Sequence, residues 1–234
     1  MTETDGRFLA KEVQQAGDLQ SLLRLMTWLS PAFPVGGFAY SGGLERAVAD
    51  GLVENADGLR QWIASTILNG TGWNDAVLMA EAMRCSTAQE LAGLVELAVS
   101  LAGSAERHAE ILGMGRAFLE AAQAWPHPVL SALPKETPYA VAVGAVAGAH
   151  GISPEKAIGA FLNALASQAV SAGIRLSVLG QRQGVALLSG LEHAIAATAQ
   201  RASGSALDDL GSATILAEIS AIRHETQPVR LFRS

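Results

Sequence analysis

The sequence predicts an all-α fold: a single-domain helical bundle of about ten helices with an extended C-terminal arm. Three observations carry this. Apolar residues recur at i, i+3 and i+4 along most of the chain, the spacing that builds one apolar stripe on a helix. No segment sustains the two-residue alternation of β-branched and aromatic residues that marks a strand. Half of the 234 residues are hydrophobic, yet only 5% are aromatic and 16% charged, a composition weighted to Ala, Leu, Val and Gly that suits closely packed helices. A chain of this length buries enough surface to need no disulfide or metal staple. The predicted organisation is a flexible N-terminal segment over 1–17, a helical domain over 18–222, and a docking arm over 223–234.

The elements follow in order. Leu19, Leu22, Leu23, Met26 and Leu29 form the stripe of a helix over 18–29. Residues 30–43 break the pattern with a loop dense in Pro and Gly, and a short helix is expected over 43–51. Leu59, Trp62, Ile63, Thr66 and Ile67 mark a helix over 57–69, and another is expected over 73–84. Thr87-x-x-Glu90 fits a capping box for a helix over 88–102, and a further helix is expected over 104–124. Residues 125–137 form a proline-rich connection. Thr137-Pro138 and Ser153-Pro154 each place a hydroxyl before a proline at the first helical position, which opens helices over 138–149 and 154–170. Helices over 172–179, 183–201 and 206–222 complete the domain. Within 138–149, Gly144-x-x-x-Gly148 predicts close approach of two helix backbones. The uncharged run Tyr139–Ala149 is too short to cross a bilayer, and the acidic start Met1-Thr-Glu-Thr-Asp5 is unlike a signal peptide. A cytoplasmic protein without a membrane partner is expected.

The same reading excludes several chemistries. A net charge of −6 argues against nucleic-acid binding, which needs a basic face to neutralise phosphates. The single Cys85 excludes an internal disulfide and a multi-cysteine metal site. The sequence has no P-loop, and Gly113-x-Gly115 is half a dinucleotide fingerprint inside a helical pattern, read here as close helix packing. The five histidines have no helical ligand spacing; Glu106, His108 and Glu110 come nearest and read as a surface helix face. Ala39-Tyr40-Ser41-Gly42-Gly43 resembles a degenerate nucleophile elbow, but it lacks the preceding strand, and Asp208 and His224 complete a triad only by order. No catalytic residue, metal ligand or cofactor is therefore expected.

Two segments remain. In the loop, Pro31 and Pro34 stiffen the chain and Gly36, Gly37, Gly42 and Gly43 allow its turns. Ser41 lies among them, Phe38 and Tyr40 are expected to tuck against a neighbouring helix, and Glu45 favours the positive start of the helix that follows. The arm carries three Arg and one Glu, so +2, leaving −8 on the rest of the chain. Pro228 stops the helix, and the basic run with Leu231 and Phe232 at its tip is built for docking. Thirteen of the sixteen basic residues are Arg, whose planar fork suits interfaces.

Together these segments identify a family. Leu29-Ser-Pro-Ala-Phe-Pro-Val-Gly-Gly-Phe-Ala-Tyr-Ser-Gly-Gly-Leu-Glu45 resembles the N-terminal signature of the urease accessory protein UreF. His224-Glu-Thr-Gln-Pro-Val-Arg-Leu-Phe-Arg-Ser234 resembles the family's C-terminal run. Gly113-Met-Gly-Arg116 and Arg175-Leu-Ser-Val-Leu179-Gly180-Gln181 fall where the family has similar runs. The chain departs from the pattern at Gly42, where a Gln is expected, and at Val178, where a Pro is common; Glu218 meets an acidic position before the tail. The resemblance implies a non-catalytic, helical, homodimeric scaffold; the alternative reading is a generic helical adaptor unrelated to urease. Such proteins join the accessory protein UreD (also called UreH) and the GTPase UreG to deliver nickel to apo-urease, and they regulate UreG. On that basis Tyr40, Glu45, Arg223, His224, Glu225, Arg230, Leu231, Phe232 and Arg233 are the candidate partner-binding residues, with Leu231 and Phe232 expected to fill an apolar pocket of the UreD-like partner. Arg175, Leu179, Gly180 and Gln181 are candidates for core or interface.

Overall fold

The computed structural model describes residues 17–234; the predicted segment 1–17 falls, but for its last residue, outside them. Among the described residues there is no strand, and the helices are α1 (17–28), α2 (Leu44–Ala49), α3 (Ala56–Asn69), α4 (Thr71–Arg84), α5 (Ala88–Ser100), α6 (Ala105–Ala122), α7 (Val129–Ala132), α8 (Tyr139–Ala149), α9 (Pro154–Arg175), α10 (Gln181–Ser203) and α11 (Ile215–His224). Short 3-10 turns lie at Gly37–Ala39 and Leu207–Asp209.

The middle of the bundle is α8. After Tyr139 it contains only Ala, Val and Gly, and Ala140 through Ala147 are buried. A helix this slender lets its neighbours come close: a Cβ on Gly144 would stand 2.5 Å from the Met79 carbonyl oxygen, and one on Gly148 would stand 2.9 Å from Met83 Cα. The predicted small-residue contact is thus the α4–α8 packing. Gly115 on α6 serves the same end, since its Cα faces the Thr137 carbonyl directly. On one flank α9 and α10 pair along their length, with Ile158, Phe161, Leu162, Leu187, Leu191 and Ile195 buried. On the other, Trp28 at the end of α1 is fully buried against Phe118, Trp125 and His150, and Phe33 packs on Phe118. That aromatic cluster pins the start of the 30–43 loop to α6.

Capping explains several boundaries. Thr87 and Glu90 form the expected capping box, and Pro154 occupies the first turn of α9. Helices α2, α8 and α9 end alike: the second residue past the helix cap donates its N–H back into the last turn (Leu52 to Ala47, Ile152 to Ala147, Val178 to Gly173). The residue before each donor has positive φ. It is Gly51 or Gly151 in two cases and Ser177 (φ 62°) in the third, the Schellman arrangement.

Four expectations are corrected. Residues 172–175 continue α9 rather than starting a new helix over 172–179, because Ala172 and Gly173 are buried and Gly173 receives the Leu59 side chain. Residues 206–214 are not an α-helix. They are tied down as a loop by Trp73 Nε1 donating to the Asp209 carbonyl (2.8 Å), by Gly211 N–H donating to Asn74 Oδ1 (2.9 Å), and by Ala213 N–H donating to the Asn69 carbonyl (2.8 Å). The 125–137 connection contains the single turn α7. Neither Thr137 nor Ser153 caps its helix through the hydroxyl; that of Thr137 donates to the Pro134 carbonyl at 2.7 Å. One helix among the described residues, α9, is long and apolar enough to cross a membrane, but here Ala157, Ile158, Phe161, Leu162, Ala166 and Val170 bury its apolar face in the bundle.

Candidate partner-docking site

The 30–43 loop and residues 223–234 meet at one site. Gly36, Gly42 and Gly43 take positive φ of 74°, 59° and 81°, and Gly43 is also a close approach: a Cβ there would stand 2.7 Å from the Ala221 amide nitrogen. Helix α11 therefore crosses directly over the start of α2. Arg223 and His224 are its last turn rather than the first residues of an arm. Past Pro228 the chain returns beside the loop. Arg233 N–H donates to the Ala39 carbonyl (2.7 Å), Ser41 N–H donates to the Ser234 carbonyl (2.8 Å), and the Ser41 hydroxyl donates to that same oxygen.

An extended segment alternates its side chains, and the alternation decides each role. Phe232 and Ser234 point inward and are buried, whereas Leu231 and Arg233 are exposed. Phe232 is 5% exposed and lies beneath the Arg175 guanidinium, 4.1 Å above its ring; Arg175 also donates to the Phe38 carbonyl at 2.5 Å. The Ser234 hydroxyl donates to Glu110 Oε2 at 3.1 Å.

Glu45 organises the site. Leu231 N–H donates to its Oε1 (2.7 Å), Phe232 N–H to its Oε2 (2.9 Å), and His224 Nε2 lies 3.1 Å from Oε2. Burial pushes the carboxyl pKa up, but the Leu231 amide, His224 and the Phe232 amide outweigh it and hold Glu45 below the usual carboxylate range. On the opposite side Glu106 faces His224 Nδ1 at 2.6 Å and takes Arg230 at 2.5 Å. Glu225 accepts the N–H of Ala105, at the start of α6, at 2.7 Å, and Arg223 pairs with Asp50 at 2.7 Å. Beneath Ser234, Arg107 pairs with Asp75 (2.5 Å) and Glu110 (3.3 Å). Burial raises the Glu110 pKa against the pull of Arg107.

The arm is thus seated on its own body, not free. The reason is charge and acceptor supply: a segment of charge +2 meets Glu45, Glu106, Glu110 and Asp50. Phe232 consequently fills a pocket of this chain rather than standing ready for a partner's. Phe38, expected to tuck inward, is 75% exposed, because the 3-10 turn carries Gly37 into the core and turns its neighbour out. Glu106 and Glu110 are site residues and not a surface face; their i, i+4 spacing was the available signal. Tyr40 is half-buried, with its carbonyl accepting from Gln168 Nε2 at 3.3 Å. Of the 175–181 run only Arg175 reaches the site; Leu179 is buried, and Gly180 and Gln181 open α10, where Gly180 N–H donates to Gln183. Pro31 and Pro34 are exposed and border a groove of about 1440 Å³ that runs between α1 and α9.

The hydrolase arrangement is not assembled. Both ring nitrogens of His224 face Glu45 and Glu106, which leaves none for Ser41, whose hydroxyl donates to the Ser234 carbonyl. Among the described residues no group of three or more His, Cys, Asp and Glu is placed to hold a metal ion.

The UreF family's sequence profile matches residues 53–192, more than half of the chain. This chain belongs to the UreF family. The urease accessory protein UreF of Rhizobium leguminosarum bv. viciae is 62% identical to it over 218 residues, covering 93% of this chain and 98% of the relative. The protein of that name from Agrobacterium fabrum is 57% identical over 217 residues, 92% and 96% of the two chains. That of Sinorhizobium medicae is 53% identical over 218 residues, 93% and 98%. In this UreF-family chain the profile match covers the helical middle, while the two runs that carry the resemblance in sequence, ending in Glu45 and beginning at His224, lie outside it and meet in space.

Proposed function

We propose that this urease accessory protein is a non-catalytic scaffold that docks a UreD/UreH-like partner through the seated arm, and that together they present a UreG-like GTPase, whose activity the scaffold regulates, to apo-urease for nickel delivery in the cytoplasm. The observation that carries the reading is the alternation of the arm. Its inward residues are satisfied within the chain, and its outward residues, Val229, Leu231 and Arg233, stand exposed. On the neighbouring α11, Ile215, Ile219 and Ile222 form a further exposed apolar stripe. Apolar anchors that alternate along the arm with the exposed Arg230 and Arg233 suit a partner surface with apolar pockets and an acidic rim.

Homodimerisation belongs to the same reading and uses a different face. Leu19, Leu22, Leu23 and Met26 of α1 are exposed, three of them lining the groove, whose α9 wall includes the small residues Gly159, Ala160, Ala164 and Ser167. An apolar helix next to a wall of small residues suits a second copy of the same pair of helices.

The test is a pull-down with light-scattering mass, using purified UreD-like and UreG-like proteins and three full-length chains: unmodified, Leu231→Asp and Leu22→Asp. Leu231→Asp should lose the UreD-like partner with its helicity intact. Leu22→Asp should halve the mass of the free chain. If Leu231→Asp binds as the unmodified chain does, the arm face is not the docking site.

A further inference from the structure

His224 is completely buried, and both of its ring nitrogens face carboxylate oxygens: Nε2 that of Glu45 at 3.1 Å and Nδ1 that of Glu106 at 2.6 Å. A neutral imidazole has one N–H and one lone pair. In that form one of these contacts would set a nitrogen lone pair against a carboxylate lone pair, within hydrogen-bond distance and away from water. Both contacts are hydrogen bonds only with one more proton in the cluster. Glu45 is poorly placed to hold it, since backbone N–H groups of Leu231 and Phe232 already donate to its two oxygens. Glu106 is poorly placed too, because its second oxygen takes the Arg230 guanidinium. The other charged groups around the cluster are paired among themselves: Arg223 and Arg46 with Asp50 at the end of α2, and Arg107 with Asp75 and Glu110 on α4 and α6.

We infer that His224 is a positioning residue for the arm: as an imidazolium it orients Glu45 and Glu106 so that their remaining acceptors receive Leu231, Phe232 and Arg230, and arm seating is thereby coupled to one proton. The coupling is mechanical. Without that proton one carboxylate must turn away from the ring. If Glu45 turns, the Leu231 and Phe232 amides lose their acceptors; if Glu106 turns, Arg230 loses its partner. Either way the outward set of Leu231 and Arg233 is no longer held in place. The consequence for partner docking rests on the reading given above, but the coupling belongs to the chain alone.

Glu106→Gln discriminates this from a merely structural role. The glutamine amide N–H can donate to a neutral Nδ1 while its carbonyl still accepts from Arg230, and Nε2–H remains for Glu45. The seat is then complete without the additional proton. The experiment reads amide hydrogen exchange at Leu231 and Phe232 in the isolated full chain, corrected for intrinsic base catalysis, as pH is raised over the whole range in which the chain stays folded. The unmodified chain should lose protection several-fold as pH rises, whereas Glu106→Gln should keep one level throughout. Nitrogen-15 spectra of the ring in the unmodified chain give the second readout, with both nitrogens protonated while the arm is seated. Identical pH profiles for the two chains would overturn the inference. So would a lone-pair nitrogen on His224 with the arm protected, even if Glu106→Gln failed to fold. Because both readouts need no partner, their failure leaves the docking reading standing, and a failed pull-down leaves them standing.

Discussion

At the scale of single residues, Glu45 carries the heaviest local burden. Its carboxylate takes two buried backbone N–H groups and faces an imidazole, all from residues about 180 positions away. Glu45→Ala strands those donors, and a buried donor without a partner costs about 1–3 kcal/mol. The variant should therefore lose about 3 kcal/mol in urea unfolding. The acid dependence follows from the lowered pKa. Glu45 holds its proton more weakly in the folded chain than at the ordinary value of 4.5, so its contribution is fully present above that value and is lost as pH falls through the lowered one. Urea midpoints measured at a series of pH values should show a shallower acid decline in Glu45→Gln than in the unmodified chain. Little of this was legible in the sequence. The family resemblance marked Glu45 and His224 as partner-binding candidates, but the residues themselves gave Glu45 only as a helix opener and Glu106 and Glu110 as a solvated face, because helical spacing says which residues share a face and not what covers it. Phe38 failed for a related reason: the glycines announce a turn without saying which way its aromatic residue points.

At the scale of elements the sequence was far more informative, because local chemistry fixes local structure. Thr87 with Glu90, and Pro154 after Ser153, marked helix starts correctly. The errors came where tertiary packing outvotes propensity. Nothing local prevents a break near Ser171, but Leu59 packing onto Gly173 keeps α9 continuous. Nothing local forbids helix over 206–214, but three hydrogen bonds, one to α3 and two to α4, hold it as loop. The α4–α8 contact offers the sharpest test of glycine as a packing residue. Gly144→Ala places a methyl 2.5 Å from the Met79 carbonyl oxygen, on backbone that cannot swing aside, and should destabilise by about 1–3 kcal/mol. Gly190 sits within α10, and a Cβ there would meet nothing within 4 Å, so Gly190→Ala should stabilise by about 0.5–1 kcal/mol through helix propensity. Thermal unfolding of the two variants side by side checks that burial, not glycine itself, sets the sign.

At the scale of the whole molecule, charge and pattern explain why the arm lies where it does. The body carries −8 and the last twelve residues +2, so folding back neutralises what an arm held out in water would leave separated. The sequence supplied both numbers, but the basic tip and Pro228 read equally well as an arm meant for another protein. The structure divides the tip by alternation, and this separates two residues that are adjacent in sequence. Phe232→Ala empties a pocket under Arg175 and should unseat the arm, costing about 3 kcal/mol by the large-to-small rule for buried aromatics. Leu231→Ala leaves every inward contact in place. If Leu231 is a partner anchor, its truncation should weaken binding of the UreD-like protein by about 1–2 kcal/mol, as interface truncations do, with arm amide exchange unchanged. Phe232→Ala should weaken binding as well, but only in step with the loss of arm protection. Titrating both variants against the partner while following arm exchange therefore distinguishes a residue that touches the partner from one that holds the touching residue in place. Equal exchange in both variants would refute the division.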